Sequence, residues 1–465
     1  MPDSRATHTI IYLSIAVLLL LAAFALIVTR IPVDDLALGR MSRLPVIRLF
    51  ISPNSVALRA ERLYLAGFDL VEYDKQQAVE YIREAAELGC APAQSALGSF
   101  CVSGDGVEQD TAEAVKWFRR AAEQGFPEAQ YNLGISYMKG RGVEQDTDEA
   151  VKWFRKAADL GFSPAQNNLG LYYLENGREA EGAELFRKAA EHGLASAMHN
   201  LAFCYGEGRG VEKDPAEERK WYRKAAELGY VNSQFNLGTL YYSEKGDENL
   251  KEAAKWFRMT ADQGLAQGEL MLGAFYQNGM GVEQDMAEAV KWFRLAADQG
   301  EVYAEYSLGE CYKNGYGVPQ DMAEAAKWYR RAAEQELFYA QCALAFCYRN
   351  GTGVPKDPAV ADKLINEAMP KLRAAAEQGD AEAQMWMGRC CEDGFGAEKD
   401  ESKAVEWYRK AAEQDHADAQ YSLALILKRN GDADEAETLL RKAAEFGHPE
   451  AKKHLDAPGH TDRIP

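Results

Sequence analysis

The chain has 465 residues, 47% of them apolar, enough for two or three ordinary domains or for one elongated array. Its 72 acidic residues outnumber 53 basic ones, for a formal charge of -19. That balance excludes the clustered Lys/Arg footprint of a nucleic-acid binder and favours solubility and basic partners.

The amino end comes first. After a polar tail over residues 1–9, the segment "IIYLSIAVLLLLAAFALIV", residues 10–28, is apolar throughout except Ser14. At 1.5 Å per residue it reaches roughly 28 Å, about one hydrocarbon core, which predicts a transmembrane helix or signal anchor. A cleaved export signal is the competing reading, because Ala23-Phe24-Ala25 offers small residues around a cut. Arg30 directly after the run and the single Arg5 before it fit that pattern poorly. Arg30, Arg40, Arg43 and Arg48 follow the span, which favours a cytoplasmic carboxyl-side domain in a single-pass membrane protein. Three prolines interrupt residues 29–56, a juxtamembrane linker.

From residue 57 to 456 the chain repeats itself. "GVEQDTAEAVKWFRRAAEQG" begins at Gly106, and near copies begin at Gly142 and Gly281. Anchors recur at Trp117, Trp153, Trp221, Trp256, Trp292, Trp328 and Trp407, with Tyr81, Leu185, Lys371 and Leu439 in the same slot, a step of about 36 residues. Each unit predicts two helices and no strand, because nothing alternates with period two. Asp110, Asp146, Asp285 and Asp321 each precede a Glu by three residues, the spacing of a reciprocal capping box at the start of the second helix. Asp214 and Asp357 are followed by Pro215 and Pro358, which suit a first helical turn. Gly125, Gly161, Gly193, Gly229, Gly264, Gly300, Gly379 and Gly447 stand where a left-handed stop is needed, whereas Glu336 and Asp415 break that rule. A lone pair exposes its apolar stripes, so each copy is the core wall of the next. Residues 457–465 are a flexible tail.

The pattern Ala-x-x-x-Leu-Gly-x-x-x-Tyr, Gly-x-Gly-Val, Asp, then Trp-Phe/Tyr-x-x-Ala-Ala-x-x-Gly, as in Ala129 to Gly161, resembles the Sel1-like repeat (SLR), a relative of the tetratricopeptide repeat. The resemblance covers most of the chain, about eleven units. It implies an all-α, right-handed superhelical solenoid of antiparallel helix pairs and a scaffold or adaptor that binds proteins or peptide segments in its concave groove. The units around Asn176-Gly177 and Asn430-Gly431 lack the Gly-x-Gly-Val loop, and the unit holding Lys371 is lengthened near "INEAMPK".

Candidate chemistry is sparse. The glycine loops lack the strand and the Lys-Ser/Thr of a phosphate cradle and are turns. Cys204, Cys311, Cys347 and Cys390 share one slot on first helices, and Cys101 and Cys391 replace a tyrosine. Cysteine-rich secreted relatives pair a first-helix with a second-helix cysteine, and no second helix here carries one, so buried thiols are expected. No zinc spacing, nucleophile motif or cofactor motif appears, which predicts a protein that is not an enzyme and carries no metal or cofactor. One constellation rises above packing. Asn132, Asn168, Asn200 and Asn236 precede the Leu of four consecutive first helices. In tetratricopeptide relatives the matching position faces the groove, where an amide supplies both donor and acceptor to a peptide unit. Tyr131, His199 and Phe235 beside them would add contact area. An exported envelope scaffold for secretion or polysaccharide assembly, and a hydrolase of envelope substrates, are the alternative readings.

Overall fold

The structure, a computed structural model, describes residues 56–456. The predicted tail, membrane span and carboxyl tail, and the linker except for Val56, lie outside those residues. Among the described residues no helix is long and apolar enough to cross a membrane, and every regular element is helical.

The chain divides into two compact units, through Leu228 and from Gly229. The first contains α1 (Val56–Leu70), α2 (Lys75–Glu87), α3 (Ala91–Ser103), α4 (Thr111–Glu123), α5 (Pro127–Lys139), α6 (Thr147–Asp159), α7 (Ser163–Glu175), α8 (Glu179–Glu191), α9 (Ala195–Glu207) and α10 (Pro215–Glu227). The second begins with α11 (Val231–Glu244), α12 (Asp247–Asp262), α13 (Ala266–Asn278), α14 (Met286–Asp298), α15 (Val302–Asn314) and α16 (Met322–Glu334). It continues with α17 (Phe338–Asn350), α18 (Pro358–Glu377), α19 (Ala381–Asp393), α20 (Glu401–Ala412), α21 (Ala417–Asn430), α22 (Ala433–Glu445) and α23 (Pro449–Asp456). Odd helices pair with the even helix that follows, and within each unit the hairpins stack in chain order as an all-α repeat solenoid.

The pairing follows from the repeated residues. On even helices the ring after the Trp slot is buried, as are Phe118, Phe154, Tyr222 and Phe293. Where glycine follows the odd helix's buried Leu the ring lies against it, as Phe118, Phe154 and Phe293 do against Gly98, Gly134 and Gly273. A Cβ on Gly98 would stand 2.6 Å from the Phe118 ring, so the absent side chain is what brings the two backbones together. The loop glycines act between hairpins. Gly142 has φ +70°, and a Cβ there would lie 2.0 Å from the Thr111 carbonyl oxygen, so the second glycine of Gly-x-Gly-Val rests on the first turn of the preceding even helix.

The even helices other than α8, α12 and α22 are capped by an Asp side chain, with one correction to the capping box. Asp110 Oδ1 accepts from the backbone of Ala112 and Glu113, each at 2.9 Å. The Glu does not reach back. Glu113 pairs forward with Lys116 at 3.0 Å, and Glu149 with Lys152 at 2.9 Å. The cap residue's own amide is already taken: Asp110 N donates to Cys101 O at 2.9 Å and Asp146 N to Tyr137 O at 3.0 Å, tying the loop to the odd helix. At the exits Gly125 and its equivalents adopt positive φ, and Glu336 and Asp415 keep the same left-handed geometry at φ 63° without glycine. The lengthened unit is α18, 20 residues with Pro370 inside it, which removes the helical bond to the Asn366 carbonyl. A further departure was not expected: α12 runs 16 residues and is entered through Lys245 and Gly246, both at positive φ.

Two polar ladders stitch the hairpins. Near the start of five odd helices, α3, α5, α7, α19 and α21, a buried Gln reaches back to the last turn of the preceding even helix, as Gln94 Nε2 does to Ala86 O at 3.0 Å and Gln384 Nε2 to Ala376 O at 3.1 Å. Its Oε1 accepts from the Gln that ends the next even helix: Gln124 to Gln94 at 2.8 Å and Gln414 to Gln384 at 2.9 Å. Where Leu160, His192 or Phe446 stands at that end, the Oε1 of Gln130, Gln166 or Gln420 is buried without a partner. In the second ladder an even-helix Arg bonds the Tyr hydroxyl of the next odd helix, as Arg155 does to Tyr173 at 2.9 Å and Arg330 to Tyr348 at 3.0 Å.

All eight cysteines are free, and all but Cys90 are buried. Burial pushes the Cys204 thiol up to about 11 and those of Cys311 and Cys390 up to about 12. A thiol reagent at pH 8 is therefore expected to modify at most Cys90 in the native chain; rapid reaction of several thiols would contradict this packing. His192 is exposed, so His192→Gln supplies the missing donor to Gln166 at little loss. The variant is expected to be more stable by about 0.5–1.5 kcal/mol in urea unfolding, whereas an unchanged midpoint would show that the glutamine ladder adds nothing.

Candidate functional site

The asparagine slot lies one residue before the buried Leu that recurs on the odd helices, Met387 taking its place in α19, so its side chain emerges at the edge of the core. Asn132, Asn168 and Asn200 stand at this turn of α5, α7 and α9, all half-buried. The structure links the last two through a residue that sequence reasoning missed. Asn200 Nδ2 donates to Asn167 Oδ1 at 2.8 Å, Asn167 Nδ2 to Asn168 Oδ1 at 3.5 Å, and Asn168 Nδ2 to the Tyr131 hydroxyl at 3.4 Å. Side chains from three successive odd helices thus form one chain of amides ending on a phenol. Asn167 sits one position before the predicted slot and is 7% exposed. Its signal was the doublet Asn167-Asn168, which reads as two polar surface residues until the hairpins are stacked.

Asn132 is placed differently. Among the described residues its amide takes no hydrogen bond, and it lines a cleft of about 150 Å³ with Ser99, Val102, Phe118, Ile135 and Arg141. A larger cleft of about 470 Å³ lies beside Arg83, Glu108 and Asp110, away from the asparagines. Asp110 there is committed to capping α4, which makes that cleft part of the loop architecture.

The three neighbouring aromatics are shared with the core. The Tyr131 ring packs 5.7 Å from Phe154 and 5.5 Å from Phe162, and the His199 ring lies 5.3 Å from Tyr222. Burial raises the Tyr131 hydroxyl pKa and lowers that of His199, so both are neutral at physiological pH. The surface apolar groups are instead Leu171 and Phe203, 37% and 38% exposed, three residues after Asn168 and Asn200 on the same helix face. Sequence reasoning passed over them because a hydrophobic residue beside a helix core reads as core.

Asn236 and Phe235 belong to the second unit. Phe235 packs 5.7 Å from Phe257, and Asn236 is half-buried with no side-chain hydrogen bond among the described residues. Beyond α11 the slot changes character: Met271, Ser307, Ala343, Trp386 and Ser422 follow, and Ala343 and Trp386 are 3% and 1% exposed. The odd-helix face around α17 and α19 is therefore filled by its own side chains. Among the described residues no group of three or more His, Cys, Asp or Glu is arranged to hold a metal ion.

Comparison with known proteins agrees with this architecture. The Sel1 repeat model matches residues 56–90, 91–126, 127–162, 163–194, 195–230, 231–265, 266–301, 302–337, 338–361 and 381–416, and a tetratricopeptide repeat model matches 402–451. The gap from 362 to 380 falls on the lengthened α18. The crystal structure of c5321, a protective antigen present in uropathogenic Escherichia coli strains and displaying an SLR fold, is 32% identical, with 86% of this chain and 88% of that one covered and a TM-score of 0.61. A Sel1 repeat protein from Oxalobacter formigenes is 29% identical over 81% of this chain and 95% of its own, with a TM-score of 0.37. The chain belongs to the Sel1 repeat family and is a repeat scaffold of the kind that serves protein–protein interaction.

Proposed function

We propose that the odd-helix face of the first unit binds an extended segment of a partner protein, and that residues 10–28 hold this scaffold at a membrane with the repeats on the cytoplasmic side. The observation that carries the reading is the alternation on α7 and α9: an asparagine amide at the core edge and, one turn on, the exposed Leu171 or Phe203. Amides meet a peptide backbone without regard to its sequence, and the apolar positions select side chains along it. The free amide of Asn132 over its cleft extends the same surface, and Asn236 continues it in sequence. The right-handed superhelix and concave groove implied by the family belong to this reading. So does a non-catalytic role, supported by the commitment of the buried carboxylates to hydrogen-bond donors, as when Glu269 accepts from Gln299 at 2.8 Å and Glu305 from Gln335 at 2.9 Å.

Replacing Asn132, Asn168, Asn200 and Asn236 together with Ala removes several hydrogen bonds, each worth about 0.5–1.5 kcal/mol. At about 1.4 kcal/mol per factor of ten, partner affinity is expected to fall at least about tenfold while the helical circular dichroism persists. Partner binding unchanged in a folded variant would remove the amides from the account. For topology, a carboxyl-terminal reporter that works only in the cytoplasm is expected to be active; activity from a reporter that requires export would place the repeats outside.

A further inference from the structure

In a repeat stack each hairpin ordinarily touches only its neighbours. The second unit departs from this. Glu382, in the first turn of α19, collects three donors on one carboxylate: the Tyr306 hydroxyl from α15, 76 residues away, its own helix's Trp386 Nε1 at 2.9 Å, and His416 Nε2, at the start of α21, at 2.8 Å. Trp386 Nε1 also reaches the Tyr306 hydroxyl at 3.1 Å. A second tie joins Lys313 of α15 to Asp418 of α21 at 3.6 Å, and Lys313 also pairs with Glu310, whose Oε1 accepts from the Tyr329 hydroxyl at 2.6 Å. The Tyr306 bonds to Glu382 and Trp386 step over the hairpin α17–α18, the one with the 20-residue even helix, and the Lys313–Asp418 tie steps over α19–α20 as well.

We propose that Glu382 and His416 form a proton-held clasp that closes the odd-helix face of the second unit by tying α15, α19 and α21 together. The two ring nitrogens of His416 have unequal partners. Nε2 is 2.8 Å from Glu382, the length of a charge-assisted bond, whereas Nδ1 accepts from Ala419 N at 3.3 Å, longer than an ordinary one. Neutral imidazole satisfies both; imidazolium gives up the longer bond and places its charge across the shorter. His448, capping α23, has the reverse balance, with Ala451 N at 3.2 Å from Nδ1 and Asp418 at 3.7 Å from Nε2.

The charged and titratable groups around the clasp are Tyr306, Glu310 and Lys313 from α15, Tyr316 just after it, Tyr329 from α16, Tyr339 and Cys342 from α17, Glu382 and Arg389 from α19, with Asp380 before it, Asp418 from α21 and His448 before α23. Arg389 lies over the rings of Phe346 and Trp386 at 4.5 and 5.4 Å. Burial alone would strip the proton from His416, but the Glu382 bond and charge, with Asp418 and Glu310 behind them, raise its pKa above the ordinary histidine value. Burial likewise works against charge on Glu382 and Asp418. The hydrogen bond and charge of His416 hold Glu382 below the usual carboxylate range, and Lys313, His416, His448 and Arg389 do so for Asp418. For His448 burial wins, and its pKa is lowered.

The signs then separate. A histidine raised in the fold stabilises it below its unfolded pKa of about 6.5, and that stabilisation is lost as pH rises through the folded value. The lowered Glu382 loses its contribution only as pH falls through its own folded value, below the usual carboxylate range. The clasp is thus closed at weakly acidic pH, above the lowered range of Glu382, and loosens as pH rises through the folded value of His416. His448 acts with the opposite sign, its contribution being lost as pH falls below about 6.5.

The full chain, His416→Gln and His448→Gln are compared by hydrogen exchange of the α19 and α21 peptides, corrected for intrinsic rates, at pH 6 and 8.5. Wild type and H448Q are expected to lose several-fold protection between the two pH values, and H416Q to show low protection with little change. Equal slopes in wild type and H416Q, or no slope in wild type, would overturn the proposal. Should H416Q fail to fold, Glu382→Gln removes the charge while its one carbonyl oxygen still accepts from Tyr306 and Trp386, leaving an amide N–H in place of the oxygen that faced His416. By NMR titration the His416 pKa is then expected above 6.5 in wild type and lower in E382Q; the same value in both contradicts the clasp.

Discussion

The described chain depends on close approach: the aromatic ring of an even helix must rest on the backbone of the odd helix before it. Phe118 on Gly98 and Phe154 on Gly134 are two copies of one contact, in which even a methyl group would intrude. Burying such a ring is worth roughly 1.5–3 kcal/mol, too little for a lone hairpin against its ordering entropy and enough when every hairpin also covers its neighbour. The loop glycine seated on Thr111, the Asp caps and the two polar ladders then fix how one hairpin meets the next. Their product is a surface whose composition can change from repeat to repeat while its frame does not.

That frame was legible because its parts lie within one repeat and recur. Asp at the start of an even helix, Gly at its end and the Trp-aromatic pair sit at fixed offsets, and each has a local physical reason. What was hidden depends on distance or on company. Gln94 looks like an ordinary polar helix residue until the end of α2 and the side chain of Gln124 are placed around it. The capping box was half right: Asp110 caps α4, but its amide was already bonded to the odd helix, so Glu113 turned toward Lys116. Nothing local could have paired Tyr306 with Glu382.

The candidate site shows the same division. The asparagine slot was visible as a repeated letter. The link through Asn167, the commitment of Tyr131 and His199 to the core and the exposure of Leu171 and Phe203 required the stacked helices. The two units also treat the same face differently. In the first it carries amides and open apolar groups; in the second, around α15 to α21, it is filled by Trp386 and sealed by ionised side chains. A substituted slot with Trp in place of Asn is thus the sequence trace of a closed face.

The most direct measurement is the footprint of a bound partner, mapped by cross-linking the captured complex and identifying the joined peptides. The account predicts joins on α5, α7 and α9, near Asn132, Leu171 and Phe203, with α15, α19 and α21 untouched. Joins concentrated on the even helices, or on the face that Glu382 and His416 close, would contradict it.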